Sequence, residues 1–327
     1  MPQDEIEKNG REGESLPLVS ILIPCYNTER WVRQSIQSAL DQDYPNKEVI
    51  VVDDGSSDGS VEAIRSFRDA ITFEQLPHRG GNAARNALTS SARGEWLQYL
   101  DADDFLMPGK ISSQMEAAFS WAASADVIYS PVIIQDARKP GSDYILEIPD
   151  EDPTVTFIRW GALNTNGLLL RKRAVTGVGG WREAQPCCQE HELLLRLIQA
   201  KCRFAHHKHA AAVYRTHGQN TVSRRNPLQV IQVRMELTDR LIDSLRAEGC
   251  LTRTHREALY TARMESARSA WGLDPDFAWR LAAKAKAEHS YWVRSSPALP
   301  FSYQLVNRVA GFRIAELLAA RMRRATP

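Results

Sequence analysis

Asp101-Ala102-Asp103-Asp104 directly follows an apolar run, Trp96 to Leu100. Hard divalent cations take carboxylate oxygen, and Mg²⁺ typically takes one or two protein carboxylates together with phosphate oxygens. Two aspartates one residue apart at a strand end can divide such work, one reaching a ribose and the other a metal. An isolated Asp-x-Asp is more often a solvated acidic turn, so its position decides. A second acidic cluster, Asp53-Asp54-Gly55-Ser56-Ser57-Asp58-Gly59, also follows an apolar run. Its glycines allow tight turns, and a carboxylate there can accept a hydrogen bond from a base N–H. The bland reading is a turn with aspartate capping. In the third cluster, Arg79-Gly80-Gly81-Asn82-Ala83-Ala84-Arg85-Asn86, a glycine pair precedes a helix start, which favours an anion. Arg85 could meet phosphate with two of its guanidinium nitrogens, or it could be a surface arginine of an amphipathic helix.

The elements that must position these groups alternate. Val19 to Ile23, Glu48 to Val52, Ile71 to Phe73 and Trp96 to Leu100 read as strands. Between them lie helical patterns: Val32, Ile36, Ala39 and Leu40 fall on one face, Ser60 to Phe67 is helical, and Asn82 to Ala92 is helical. Thr28 can cap the first helix, with Glu29 in its first turn. Such alternation calls for a mainly parallel sheet flanked by helices, with ligands beyond the carboxyl ends of its strands. All three clusters sit at those ends. Further along, Met107 to Ala125 is helical, Val127 to Tyr129 is a strand, and Asp136 to Pro153 is a polar loop. A short helix and a strand, Gly167 to Leu170, precede a strong helix from Glu190 to Ala200, and Ala211 to Tyr214 is a last short strand. Strand signals then stop. Helices are expected over Leu228–Glu248, Arg253–Trp271, Pro275–Glu288 and Leu305–Arg324. Residues 1–16 are expected to form a disordered leader, 17–225 the catalytic domain and 226–327 an all-helical extension.

Hydrophobic residues are 43% and charged residues 25% of the 327, an ordinary globular balance. A net charge of +1 gives no global electrostatic case for nucleic acid. No apolar run approaches the roughly 18 residues of a membrane span, and the polar N-terminus reads as neither signal peptide nor anchor. Five scattered cysteines fit a reducing cytoplasm better than a disulfide framework. Neither a Gly-x-Gly-x-x-Gly after the first strand nor a Walker loop occurs, which disfavours dinucleotide and P-loop sites.

Four segments occur in order: Ser20-Ile-Leu-Ile-Pro-Cys-Tyr-Asn27, Val51-Val-Asp-Asp-Gly-Ser-Ser-Asp-Gly59, Gly81-Asn-Ala-Ala-Arg-Asn86 and Leu100-Asp-Ala-Asp-Asp104. Together they resemble the family 2 inverting glycosyltransferases, over roughly residues 17–222. The resemblance implies the A-type glycosyltransferase fold: α/β, with a single mainly parallel sheet, a Rossmann-like nucleotide-binding half and, here, a helical C-terminal extension. It implies that Pro24, Tyr26 and Glu29 line the nucleotide pocket, that Asp54 contacts the base, and that Arg85 lies near base or diphosphate. Asp101 would face the ribose, beside Ala102, and Asp103 the metal, Mg²⁺ or Mn²⁺. Asp104 is left as a cap.

Family members open a later helix with an acidic pair whose second acid is the catalytic base. Here Gln189 replaces the first acid and Glu190 takes the second place, with Glu192 the nearest rival. Transfer needs a carboxylate to take the acceptor's proton, and a helix N-terminus keeps one ionised. Tyr214-Arg215-Thr216-His217 resembles the segment near the donor phosphates, where His217 could ligate the metal or touch the leaving phosphate. His206-His207-Lys208-His209 looks like a metal tract, but strand alternation splits its side chains between faces.

The implied reaction moves a sugar from a nucleoside diphosphate, a UDP-sugar as first candidate, to a hydroxyl of a saccharide or lipid-linked acceptor in polysaccharide or glycolipid assembly. No nucleic acid is involved. The basic, amphipathic stretch 305–324 could lie on the inner face of a membrane, or pack on its own domain. Two rivals remain. A non-catalytic sugar-nucleotide-binding homologue is kept open by Gln189. A sugar nucleotidyltransferase would need a Gly-rich loop where Pro24-Cys-Tyr-Asn27 stands.

Overall fold

The computed structural model describes residues 16–120, 124–161, 163–217, 226–288, 292–293, 296 and 298–325. The expected leader, apart from Leu16, and the expected boundary near 225 lie outside these residues. The chain forms two compact units: Met1–Asp150 with Ala162–Gln219, and Glu151–Gly161 with Asn220–Pro327.

The first unit is α/β. In chain order its elements are β1 (Val19–Cys25), α1 (Val32–Leu40), β2 (Lys47–Asp53), α2 (Ser60–Arg65), β3 (Thr72–Gln75), α3 (Gly81–Ser91), β4 (Trp96–Tyr99), β5 (Phe105–Leu106), α4 (Lys110–Phe119), β6 (Val127–Tyr129), β7 (Val132–Asp136) and β8 (Tyr144–Leu146). The second unit then contributes α5 (Pro153–Ile158), after which the first resumes with β9 (Leu168–Arg171), α6 (Lys172–Gly177), α7 (Gln189–Gln199), β10 (Phe204–His206) and β11 (Ala212–Thr216). Seven strands form one sheet in the order β10-β6-β9-β4-β1-β2-β3. Within it, β1 pairs parallel with both β2 and β4, while β9 runs antiparallel to β4 and β6. The central strands are apolar without alternation because helices cover both faces of the sheet. Val19, Ile21, Ile23, Val51 and Trp96 are fully or almost fully buried, each contributing about 1.5–3 kcal/mol of transfer free energy.

A second sheet, absent from the sequence reading, has four strands in the order β5-β11-β7-β8. Strand β8 lies within the stretch read as a polar loop. These strands are two to five residues long, too short to declare a period. Pairing with one another is what makes them strands. Their consequence is functional: β11 carries Arg215 beside the acids that follow β4.

Thr28 takes its place before α1 through its carbonyl, which accepts from Trp31 N and Val32 N. The cap residue itself, Trp31, has no side-chain cap bond.

The second unit is helical: α5, then α8 (Pro227–Ala247), α9 (Arg253–Ala270), α10 (Pro275–Glu288), α11 (Phe301–Ala310) and α12 (Phe312–Ala325). Its starts are written in side chains. Asp152 accepts from Thr154 N ahead of Pro153, Asn226 accepts from Gln229 N, and Thr252 and His255 form a reciprocal capping box. Buried alanines on α9 and α10, among them Ala267, Ala270, Ala278 and Ala282, form much of its core. The last expected helix is two. Gly311, at φ +86°, ends α11, and a left-handed residue stops a helix.

Helices α11 and α12 wear their polarity inside out. On α11, Tyr303, Gln304 and Asn307 are buried, while Phe301, Leu305 and Val309 are exposed. On α12, Glu316 is buried, bonded to Arg268 and Tyr303, while Ile314, Leu317, Leu318 and Met322 face outward.

Candidate active site

The chain after β4 turns at once. Asp104 N donates to Asp101 O at 3.0 Å, and the three aspartates point to three different partners. Asp101 Oδ1 accepts from Arg85 Nη2 at 2.7 Å. Asp103 Oδ2 lies 2.8 Å from His217 Nε2. Asp104 is buried, with Oδ1 accepting from Arg215 N at 2.6 Å and Oδ2 from Asn166 Nδ2 at 2.5 Å. Asp104 is therefore no helix cap; it ties β11 and the 165–167 turn to the acidic loop. Burial raises the Asp101 carboxyl, with Arg85 opposing and Asp103 adding to the rise. Burial and the neighbouring acids Asp103 and Asp101 drive Asp104 well above the carboxylate range. The Ala102 side chain packs in the core.

Asn166 organises this loop from beneath. Its Oδ1 accepts from Asp101 N at 3.1 Å while its amide serves Asp104. Its carbonyl accepts from Gln98 Nε2, and Gln98 Oε1 in turn accepts from the buried Lys110 ammonium. Burial holds that ammonium well below its ordinary pKa. Sequence reading missed Asn166, which follows the acids by more than sixty positions and matches no motif.

Arg85 is nearly buried. Besides Asp101, it reaches Asn82 Oδ1 at 3.3 Å and Gln189 Oε1 at 3.4 Å, and its guanidinium lies 4.9 Å from the Trp181 ring centroid. Arg85 thus links the acid after β4 to the start of α7. There Cys188, at φ +55°, turns the chain into the helix and Glu190 follows in its first turn. Burial would raise the Glu190 carboxyl. A hydrogen bond from His191, the His191 and Arg85 charges and its own backbone N–H outweigh this and hold it below the ordinary 4.5. The two glutamates differ sharply. Glu192 is 1% exposed and is held by Nε and Nη2 of Arg196 and by Arg182 at 2.9 Å.

The loops after β1 and β2 are zipped together. Asn27 N donates to Ser56 Oγ, Ser57 N to Asn27 Oδ1, Thr28 N to Ser60 Oγ, Glu29 N to Asp58 Oδ2, and Gly59 N to Glu29 Oε2. A Cβ on Gly59 would fall 2.5 Å from the Glu29 carboxylate. Asp53 caps its own turn through Gly55 N and Ser56 N. Asp54 takes main-chain bonds from Arg79 N at 2.8 Å and Gly80 N at 2.9 Å, fixing the entrance to α3. Pro24 is partly buried in β1, and Tyr26, 45% exposed, stacks on His78.

An open cleft of about 710 Å³ is lined by Asn27 to Trp31, Asp58 and His217. Two guanidinium groups lie over the Trp31 ring, Arg30 at 4.4 Å and Arg215 at 4.3 Å from its centroid. The structure therefore gathers Arg85, Asp101, Asp103, Glu190 and His217 in one electrostatic neighbourhood, with Tyr26 and Asp54 at the adjoining loop.

The mainly parallel sheet, with these groups past the carboxyl ends of its strands, has the architecture of the A-type glycosyltransferase fold. Residues 20–164, somewhat less than half of the chain, match the family described as "Glycosyl transferase family 2". A similar curated protein is the Escherichia coli UDP-Glc:alpha-D-GlcNAc-diphosphoundecaprenol beta-1,3-glucosyltransferase WfaP. It is 35% identical over 102 residues, covering 31% of this chain and 41% of that protein. Staphylococcus aureus TarS 1–349, solved with UDP-GlcNAc, shares the fold at a TM-score of 0.57 and 15% identity, covering 93% of this chain and 91% of that one. Mannosyltransferase PcManGT from Pyrobaculum calidifontis, solved with GDP-Man and Mn²⁺, gives a TM-score of 0.55 at 18% identity, with 96% and 92% coverage. The chain spans about a third to two fifths of the length of the curated relatives it matches.

Proposed function

We propose that this chain is an inverting glycosyltransferase that moves a sugar from a nucleoside diphosphate donor, a UDP-sugar first, to a hydroxyl of a saccharide or lipid-linked acceptor. The observation that carries the reading is the joining of Asp101, Arg85 and the Glu190 helix into one polar assembly. In this reading Glu190 takes the acceptor's proton as its oxygen bonds to the anomeric carbon. The bond from that carbon to the diphosphate oxygen breaks, and the nucleoside diphosphate leaves with the electron pair. Two arginines already pair with Glu192, which supports Glu190 over Glu192 as the base. Tyr26 and Asp54 serve the base, with Pro24 and Glu29 framing their loop, and Asp101 serves the ribose.

Metal dependence belongs to the same proposal. Among the described residues no three His, Cys, Asp or Glu side chains converge to hold an ion. The pair Asp103 and His217 supplies one carboxylate and one imidazole, which fits a Mg²⁺ or Mn²⁺ ion completed by phosphate oxygens. Such an ion would neutralise charge on the departing diphosphate.

No described helix is long and apolar enough to cross a membrane. The exposed apolar faces of α11 and α12 support peripheral contact, through 305–324, with the inner face of a membrane that presents a lipid-linked acceptor.

The test is product analysis with nucleotide sugars and Mn²⁺. Release of nucleoside diphosphate with an inverted product is expected, and Asp103→Ala should abolish both turnover and metal-dependent donor binding. Pyrophosphate as product would instead make this a nucleotidyltransferase, and normal turnover by the variant would remove Asp103 from the site.

A further inference from the structure

We infer that His78 occupies the place of the donor's base, and that the base must displace it to bind. The inference rests on the donor reading of Tyr26 and Asp54 given above.

The His78 ring stacks on Tyr26 with centroids 4.1 Å apart and planes 21° from parallel. Rings this close are in contact, so a base has no room between them. The same imidazole places Nδ1 2.9 Å from Asp54 Oδ2 and 3.0 Å from the Asp54 carbonyl oxygen. A flat ring on Tyr26 carrying an N–H to Asp54 is what a nucleobase edge would offer the same two residues.

The hydrogen bonds of Asp54 show which partner can leave. A carboxylate has about four acceptor positions on two oxygens. Oδ1 accepts from Arg79 N and Oδ2 from Gly80 N, both main-chain groups fixed at the entrance to α3. His78 is the side-chain partner on Oδ2, and its side chain is 53% exposed. Side-chain rotation would carry the ring into water without moving the chain. The backbone, in contrast, is pinned: a Cβ on Gly55, which sits at φ +75°, would come within 2.8 Å of His78 N. A base with a suitably placed N–H replaces one stacked ring and one donated bond with another of each. A base lacking that N–H recovers only the stack. His78 thereby lowers donor affinity overall and sets a threshold that favours bases able to satisfy Asp54.

The test measures equilibrium binding of UDP and of GDP, each with Mn²⁺, to the full chain and to His78→Ala. For the nucleotide that the unaltered chain binds more tightly, His78→Ala should bind about 2- to 10-fold tighter still, the range of one aromatic pair. On a Tyr26→Ala background the gain from His78→Ala should shrink, because the competing stack is already gone and only the bond to Asp54 is left to contest. A merely structural His78 would produce no such coupling. Weaker binding by His78→Ala would make His78 a wall of the base pocket and overturn the displacement. Unchanged binding would overturn it too. If the unaltered chain and the variants all bind neither nucleotide, the donor reading itself fails and takes this inference with it. If the unaltered chain binds and the variant gains nothing, only the displacement fails.

Discussion

Arg85 Nη2 stands 2.7 Å from Asp101 Oδ1, so a carboxylate of the Asp-x-Asp loop holds the guanidinium. The arrangement differs from an arginine left open for phosphate. The pair sets the position of Asp101, and the second nitrogen carries the link on to Gln189. Replacing Arg85 with alanine leaves a raised, partly buried Asp101 without the charge that opposes its protonation. The expected loss is about 2 kcal/mol, below that of a fully buried pair because Asp101 retains some solvent. Arg85→Lys should lose most of the same stability, since a single ammonium cannot reach Asp101, Asn82 and Gln189 together. Urea unfolding of the three proteins checks this; an unchanged midpoint in both variants would show that the pair is dispensable.

Glu190 and Glu192 make opposite predictions although they are neighbours on one helix. Glu190→Gln should lower turnover by about 100- to 10,000-fold, the range for loss of a general base. Nucleotide binding should stay within about twofold. Glu192→Gln strands Arg196 and Arg182 and should lower stability, while the turnover of the folded fraction is kept. Steady-state rates corrected for folded fraction, beside nucleotide affinity, separate the two. A near-normal rate for Glu190→Gln would move the base elsewhere.

The first half of the site lay open in the sequence because each group is placed by local punctuation. Asp54, Arg85 and Asp101 each follow a strand end or enter a helix within a few residues. What was not legible is non-local. Arg85 and Asp101 lie sixteen positions apart, and nothing local pairs them. Asn166 and Arg215 reach the acids from far along the chain, Asn166 from the 165–167 turn and Arg215 from a second sheet whose short strands have no period of their own. The sequence reading ran 305–324 as one helix, yet Gly311 divides it. Residues 151–161 join the helical unit, an association that no nearby residue announces.

His207 yields a pH prediction with a definite sign. Burial first, then the charges of His209 and Lys110, lower its pKa from 6.5 to about 4. Below pH 6.5 the unfolded chain takes a proton that the folded chain refuses. Stability from this group is complete above 6.5 and is lost as pH falls toward 4. The urea midpoint should therefore drop over that window, and His207→Gln should flatten part of the drop. An identical pH profile for both proteins would remove His207 as a cause.

Val309 and Leu317 lie on the apolar outer faces of α11 and α12, 81% and 57% exposed. A soluble surface rarely carries so many large apolar groups together. The exposed charges on these helices among the described side chains are Arg308, Arg313 and Arg321, and the one acid, Glu316, is buried. Apolar area framed by cations fits an anionic lipid surface. The full chain should float with vesicles containing phosphatidylglycerol and much less with pure phosphatidylcholine. Val309→Glu with Leu317→Glu should abolish flotation. Both positions face away from the core, so the fold and the turnover of a soluble acceptor should survive, and turnover of a vesicle-embedded acceptor should fall. Sedimentation velocity supplies the competing outcome. If the two glutamates convert a dimer to a monomer while flotation is unaffected, a second copy covers this face and the membrane reading fails.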